Sequence, residues 1–257
     1  MRCWENAEVS TVEPEPSRWH LQAPPDDHGH DLWAVGADLE PGTVLAGYRL
    51  GLFPMPVSQE PGSSEPVTAS LTTAIGWWSP AQRGVIPLER RPPRTLRRVG
   101  GRYELRIDTA FGEVMRGCGD PARPHGWIDD SMLAAYARLH EAGWVHSVEC
   151  WDDDGLAGGL YGVSLGGLFA AETMFQHRPD AGKCALLALI TLLQDAGDAE
   201  QRLLDVQWST PHLALLGATE VSRAEYRARL GHALELEPPA WPSGKTGEVV
   251  RQPDEEE

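Results

Sequence analysis

Three polar side chains that could take part in catalysis lie in the second half of the chain: Glu172, Asp205 and Gln207. Each lies in or beside a short apolar run bounded by turn residues, a pattern typical of β-strands. Because side chains repeat with a period of two along a strand, Asp205 and Gln207 share one face. A carboxylate and an amide beside an apolar wall can hold a polar reacting group next to an apolar substrate. The combination favours acyl transfer over redox or metal chemistry.

A second arrangement predicts a different chemistry. Residues 162–166 read G-x-S-x-G, and Asp205 and His212 follow Ser164 in the order that α/β-hydrolases use. A nucleophile elbow needs a helix after its serine, whereas the chain after Ser164 continues through two glycines into another predicted strand. A hairpin turned by glycines is therefore the favoured interpretation, and a serine hydrolase is the alternative.

Motifs for bound cofactors are absent from the sequence. There is no Walker A motif, no Rossmann glycine fingerprint and no HExxH, and the nine histidines show no ligand spacing. The four cysteines lie far apart without a C-x-x-C pair, which argues against a zinc ribbon or a disulfide scaffold. We expect neither a metal nor a cofactor.

Charge is unevenly distributed along the chain. The whole chain has a net charge of -16, but residues 83–106 contain eight arginines against two glutamates, a local net of 8 − 2 = +6. Such a run is commonly a solvated, salt-paired face. It can also neutralise a few phosphates of a nucleic acid while the acidic remainder repels longer polymers.

Cap and turn signals define the elements that position these residues. Strands are predicted over 145–151, 156–163, 168–173 and 203–206, with Gly166 and Gly167 turning one hairpin. Helices are predicted over 38–48 and 94–98, after the acidic cap at 129–131, after Asp180, from Thr210 to Gly217, and after the capping box at Ser222. The segment WWSPAQRGVIP (77–87) is predicted to be a strand and turn. Trp77, Trp78 and Trp127 are interpreted as core residues, with base stacking as the alternative.

Composition divides the chain into four parts. Residues 1–30 and the acidic tail 238–257 lack periodicity and are expected to be disordered. Between them we predict a small N-terminal domain over 31–86, with a long polar loop at 57–76, and a larger domain over 87–237. Antiparallel strands with interspersed helices indicate an α+β fold. No secretory signal or 18-residue apolar stretch is found, so a cytoplasmic monomer without membrane association is expected.

Five segments, in the same order, resemble the leucyl/phenylalanyl-tRNA-protein transferases of bacteria over residues 31–235. They are AVGADLEPGTVLAGYRLGLFP (34–54), WWSPAQRGVI (77–86), GWIDDSMLAAYARLHEAGWVHSVECW (126–151), GGLYGVSLGGLFAAETMF (158–175) and LLDVQWSTPHLALLGA (203–218). The resemblance implies a small N-terminal domain packed on a larger GCN5-related acyltransferase-like domain with a mixed, largely antiparallel sheet. It also implies transfer of Leu, Phe or Met from aminoacyl-tRNA to proteins that begin with Arg or Lys, which marks them for degradation.

The resemblance also implies roles for individual residues. Asp205 would orient Gln207, Gln207 would contact the reacting amine, and Glu172 would hold the aminoacyl end and its ammonium group. Loss of Asp205 or Gln207 is expected to slow turnover with little change in folding. A pocket for the aminoacyl side chain would be lined by Leu160, Phe169, Leu186 and Leu189. Trp127 would contact the terminal adenosine. The tRNA phosphates would be bound by Arg83, Arg94, Arg97 and Arg98.

The chain departs from the family pattern at several places. Met55 stands where the family usually has a tryptophan, so recognition of adenosine would depend on Trp127 or be weaker. The family's GES and ASK motifs are AET (171–173) and AGK (181–183) here, and the loop 57–76 is longer than usual. These departures leave open a third class of function, a catalytically weak protein that binds aminoacyl-tRNA.

Overall fold

The computed structural model describes residues 11–57, 74–120, 128–242 and 244–246, and it contains two sheets. The smaller sheet has the strand order β1-β3-β2 and is antiparallel throughout. Helix α1 (Pro41–Arg49) connects its first two strands and begins with a proline in its first turn, as predicted. The three strands are β1 (Leu32–Val35), β2 (Phe53–Pro56) and β3 (Ile75–Trp78).

The larger sheet has the strand order β10-β4-β9-β8-β7-β6-β5-β11. Among the strands that the structure describes, only the β8–β9 pair of this sheet is parallel, so the predicted α+β class with a mixed, largely antiparallel sheet is confirmed. The strands are β4 (Gln82–Ile86), β5 (Glu104–Ile107), β6 (Val145–Asp152), β7 (Gly155–Leu165), β8 (Leu168–Gln176), β9 (Leu203–Gln207), β10 (Thr219–Ser222) and β11 (Gly244–Thr246).

Six more helices accompany the larger sheet in the described part of the chain, and several begin at the predicted caps. The Asp129 carboxylate accepts the Met132 N–H, and the Ser222 hydroxyl accepts the Glu225 N–H. The helices are α2 (Arg94–Arg97), α3 (Phe111–Cys118), α4 (Asp130–Glu141), α5 (Ala181–Asp195), α6 (Pro211–Leu215) and α7 (Arg223–Ala233). None of the helices in these described ranges has the length and apolar character that a bilayer crossing requires.

Two apolar clusters cover the two faces of the larger sheet. One includes side chains of α1, α4 and α7, and the other includes most of α5. Successive residues of β9 alternate between them, since Leu203 belongs to the first cluster and Leu204 to the second. This alternation puts Asp205 and Gln207 on the side of α1, α4 and α7.

The segment predicted as one strand and turn, 77–87, instead contains parts of two strands in two different sheets. β3 lies in the small sheet, whereas β4 pairs with β9 and β10 of the large one. Judged by its hydrogen-bonded strands, the large sheet therefore begins at Gln82. The predicted domain boundary, after Ile86, leaves β4 out of the sheet to which it is hydrogen-bonded. Trp77 and Trp78 are fully buried, so their interpretation as core residues is confirmed and base stacking is excluded.

Residues on both flanks of the predicted domains contact the folded body. Within 11–30, which has no helix or strand, the Val12 N–H donates to the Ala142 carbonyl at 2.9 Å. In the predicted tail, the buried Trp241 stacks on His146 with ring centroids 4.2 Å apart, and β11 pairs with β5. Most of the predicted loop 57–76 lies outside the described residues.

Candidate active site

The site lies where two neighbouring parallel strands separate. The pairing of β8 with β9 ends at Ala170 and Asp205, although β8 continues to Gln176. Glu172 and Gln207 are each two residues beyond this last pair. Each strand also contains a β-bulge here. Glu172 is an extra residue of β8 in its pairing with β7, and Val206 is an extra residue of β9 in its pairing with β4. The bulges and the separation direct both polar side chains towards one another.

Glu172 is the buried acceptor at the centre of the site. Its carboxylate accepts hydrogen bonds from the Tyr48 hydroxyl at 2.5 Å, the Tyr136 hydroxyl at 3.0 Å and Gln207 Nε2 at 3.0 Å. The two phenol oxygens are themselves 2.8 Å apart. Burial raises the pKa of Glu172 to about 7, although the two tyrosine hydrogen bonds favour the ionised form.

Gln207 has an unusual backbone conformation for a residue with a side chain. Its φ is 64°, in the left-handed region that costs energy for residues other than glycine. An ionised Glu172 can only accept hydrogen bonds, so the amide nitrogen of Gln207 must be the atom that faces it. The planar amide then directs its oxygen away from Glu172.

Asp205 is saturated with hydrogen bonds from the protein. It accepts two from Arg83, at 2.8 and 2.7 Å, one from the Tyr226 hydroxyl at 2.9 Å and one from the Gln207 backbone N–H at 2.8 Å. A carboxylate has about four acceptor positions, so none remains for a substrate amine. The contact of Asp205 with Gln207 is made through the main chain.

The assignment of Arg83 to tRNA binding is wrong. The residue is only 1% exposed, and its guanidinium lies between the rings of Phe53 and Tyr226, 4.6 and 4.5 Å from their centroids. Burial disfavours its charge, but Asp205 more than compensates, and the pKa of Arg83 lies above its ordinary value. A guanidinium enclosed in this way cannot reach a phosphate.

The other predicted tRNA contacts lie on or next to α2. Arg94 and Arg98 are exposed, whereas Arg97 is half-buried and donates to the Pro92 carbonyl at 3.2 Å. The Thr95 hydroxyl donates to the Leu215 carbonyl at 3.1 Å, which links α2 to the short helix that follows Gln207. The arginines therefore lie on an element in contact with the segment that leaves the site.

The four residues predicted to line a side-chain pocket lie in one cluster, but all four are buried. Leu160, Phe169, Leu186 and Leu189 are all buried in the apolar cluster on the α5 side of the sheet. Tyr48 and Tyr136, the phenol partners of Glu172, belong to the cluster on the other side of the sheet. Trp127, predicted to contact adenosine, lies outside the described residues.

Two partly exposed apolar side chains lie close in sequence to the polar residues, and sequence reasoning missed both. Met174 and Val206 pack against the α5-side cluster; Met174 is two residues after Glu172, and Val206 directly precedes Gln207. A bulge reverses the expected strand alternation at Met174, which is why the sequence pattern did not indicate it.

Comparison with known proteins agrees with this geometry. The family model described as leucyl/phenylalanyl-tRNA protein transferase matches residues 85–231, which is more than half of the chain. The chain belongs to this family. It is 42% identical over 212 residues to the leucyl/phenylalanyl-tRNA--protein transferase of Thiobacillus denitrificans, covering 80% of this chain and 85% of the relative. The enzymes of the same name from Anaeromyxobacter sp. strain Fw109-5 and Akkermansia muciniphila are each 44% identical, over 79% and 77% of this chain and 83% and 97% of theirs.

The hydrolase alternative does not fit a member of the transferase family, and the geometry contradicts it. Ser164 lies near the end of β7, is buried, and accepts a hydrogen bond from Trp241 Nε1 at 3.0 Å. A hairpin into β8 follows it, with no helix, and β8 separates its strand from that of Asp205. His212, the third member of the predicted triad, lies on α6. A triad of Ser164, Asp205 and His212 is therefore wrong.

No direct signal in the sequence indicated the phenols of the site. Tyr48, Tyr136 and Tyr226 lie on α1, α4 and α7, and each was interpretable only as part of an apolar helix face. All three are buried, and burial raises their pKa, so they remain protonated donors at neutral pH. Within the described ranges, no group of three His, Cys, Asp or Glu side chains could hold a metal ion.

Proposed function

We propose that this chain transfers Leu, Phe or Met from aminoacyl-tRNA to the α-amino group of proteins that begin with Arg or Lys. Membership of the transferase family supports the reaction type. The single observation that carries the proposed mechanism is the amide of Gln207, held by Glu172 where β8 and β9 separate. This arrangement presents an amide oxygen to an incoming amine without a covalent nucleophile.

The chemistry needs little activation from the protein. The aminoacyl ester is already activated, and an α-amine has a pKa of roughly 7.7 to 8.0, so a useful fraction is neutral near pH 7. The amine nitrogen attacks the ester carbonyl, the bond to the ribose oxygen breaks, and the proton lost from nitrogen ends on that oxygen. An amide is very weakly basic, so Gln207 orients the amine and does not take its proton.

Glu172 is suited to bind the ammonium group of the aminoacyl residue. It is the carboxylate next to Gln207, and its partners at the site are neutral donors, namely two phenols and one amide. A cationic ligand therefore adds the first positive charge in direct contact with this carboxylate. Met174 and Val206, which pack on the α5-side cluster, are partly exposed and close in sequence to Glu172 and Gln207, which supports an apolar aminoacyl side chain there.

A radiolabel-transfer assay tests the proposal. Leucyl- or phenylalanyl-tRNA is incubated with a peptide that begins with Arg, with the same peptide acetylated at its N-terminus as the control. Label should enter only the free peptide, without ATP or added metal. Ser164→Ala should retain transfer, because its hydroxyl only accepts a hydrogen bond from Trp241. Binding of charged tRNA without transfer would instead indicate a catalytically weak binding protein.

A further inference from the structure

A buried arginine connects three parts of the fold at Asp205. Arg83, on β4, donates to both carboxylate oxygens through two nitrogens of one planar group. Its guanidinium also contacts two aromatic rings, that of Phe53 in the small sheet and that of Tyr226 on α7. Its third nitrogen, Nη1, donates to the Gly51 carbonyl at 3.3 Å. The guanidinium is thus fixed by the small sheet, the large sheet and a helix together.

The contacts continue from Arg83 to the amide that meets the substrate. Asp205 Oδ1 accepts from both Arg83 Nε and the backbone N–H of Gln207, each at 2.8 Å. That N–H belongs to the residue with a left-handed backbone, a conformation that persists only where the surroundings fix it. The backbone conformation sets the direction in which the Gln207 side chain leaves β9 and reaches Glu172.

We infer that Arg83 is a positioning residue for aminoacyl transfer. It holds the carboxylate of Asp205 in the orientation that fixes the left-handed turn at Gln207, and so aims the Gln207 amide. The planar fork of arginine satisfies both oxygens at once, which a lysine ammonium cannot do from one point. The inference rests on the proposed role of Gln207.

The fold offers a matched control in Arg223. It is equally buried at 1% exposure and also donates several hydrogen bonds, but its acceptors are backbone carbonyls, among them those of Ser79, His28 and His30. Substitution of either arginine by lysine removes the same fork from the interior. Of these two arginines, Arg83 contacts Asp205 and Arg223 does not.

The experiment compares single turnovers of Arg83→Lys and Arg223→Lys with thermal unfolding of each. Arg83→Lys should lower the transfer rate about tenfold or more, with unchanged affinity for charged tRNA. Arg223→Lys should lower the unfolding temperature to a similar extent and change the rate by less than about twofold. Tyr226→Phe, which removes one hydrogen bond to Asp205 and keeps the ring, should give a smaller loss of rate and serves if Arg83→Lys does not fold.

A double-mutant comparison separates positioning from general destabilisation. Because Arg83 acts through Gln207, Arg83→Lys should cause no further loss of rate in a Gln207→Ala background, measured with excess enzyme. Equal losses in both backgrounds, or a normal rate in folded Arg83→Lys and Tyr226→Phe, would overturn the inference. If Gln207→Ala itself keeps the full rate, the proposed role of Gln207 fails instead.

Discussion

Burial raises the pKa of Glu172 to about 7, whereas the ordinary value is 4.5, so the folded protein holds this proton more tightly than the unfolded chain. The resulting contribution to stability is complete below about pH 4.5 and is lost as the pH rises through about 7. Between pH 5 and pH 8, wild type should therefore lose about 2 to 3 kcal/mol of stability relative to Glu172→Gln. Urea unfolding of both proteins at the two pH values measures this difference, and parallel pH profiles would contradict the shift.

Asp205→Asn should destabilise the folded protein as well as lower the rate of aminoacyl transfer. Sequence reasoning expects little change in folding, but the carboxylate neutralises a fully buried arginine. Removal of one partner of a buried ion pair costs about 3 to 5 kcal/mol because the other charge stays uncompensated. Glu40→Gln is the control, since it breaks an exposed ion pair with Arg138 and should cost at most about 1 kcal/mol. Similar unfolding free energies for the two variants would show that Arg83 finds another partner.

At the scale of elements, the site depends on how β4 passes the end of β9. Gly84 pairs with Gln207, and a Cβ added there would lie 2.8 Å from the Ser209 nitrogen and 3.0 Å from the Trp208 carbonyl carbon. Both atoms belong to the backbone, so the turn after Gln207 would have to move. The bulges on β8 and β9 make this region sensitive to small shifts, because they set the directions of Glu172 and Gln207.

Gly84→Ala should therefore lower the transfer rate by about tenfold or more, since misplacement by about 1 Å can cost about 100-fold. Gly231→Ala on α7 is the matched control, because a Cβ there meets nothing within 4 Å and alanine favours the helix by about 1 kcal/mol. It should leave the rate unchanged and raise the unfolding temperature. A normal rate for Gly84→Ala would mean that the turn adapts without moving the Gln207 amide.

At the scale of the whole molecule, an acidic protein has to bind an acidic nucleic acid. The exposed arginines Arg94 and Arg98 lie on the helix linked to the segment after Gln207. Their joint replacement by Gln should weaken tRNA binding and reduce the slope of log affinity against log salt by up to about 0.9 per lost phosphate contact on the duplex scale. Titration of tRNA binding over a range of salt concentrations measures this slope.

A short aminoacylated adenosine lacks the phosphates and should react equally well with this double variant. The control variant is Arg138→Gln with Arg178→Gln, which removes two charges already paired with carboxylates and should keep the salt dependence. An equal loss of rate with the short substrate would show that the arginines support the fold or the site instead of binding phosphates.

The sequence by itself determined the local elements and the choice of the central polar residues. Period-two patterns predicted the strands of the large sheet from β6 to β9, and caps such as Asp129 and Ser222 predicted helix starts, because these signals depend on neighbours within a few residues. Family resemblance selected Glu172, Asp205 and Gln207, and the structure brings all three together.

Only the tertiary structure decided what surrounds these residues. Arg83 was grouped with its arginine neighbours in the chain, but it pairs with a carboxylate 122 positions away. Tyr48 and Tyr136 reach Glu172 from two separate helices, and the bulges that aim the site shift strand register by single residues. Such features depend on which distant surfaces bury one another, because a buried charge or hydroxyl must find its partner wherever packing places one. Spacing along the chain does not encode that partner.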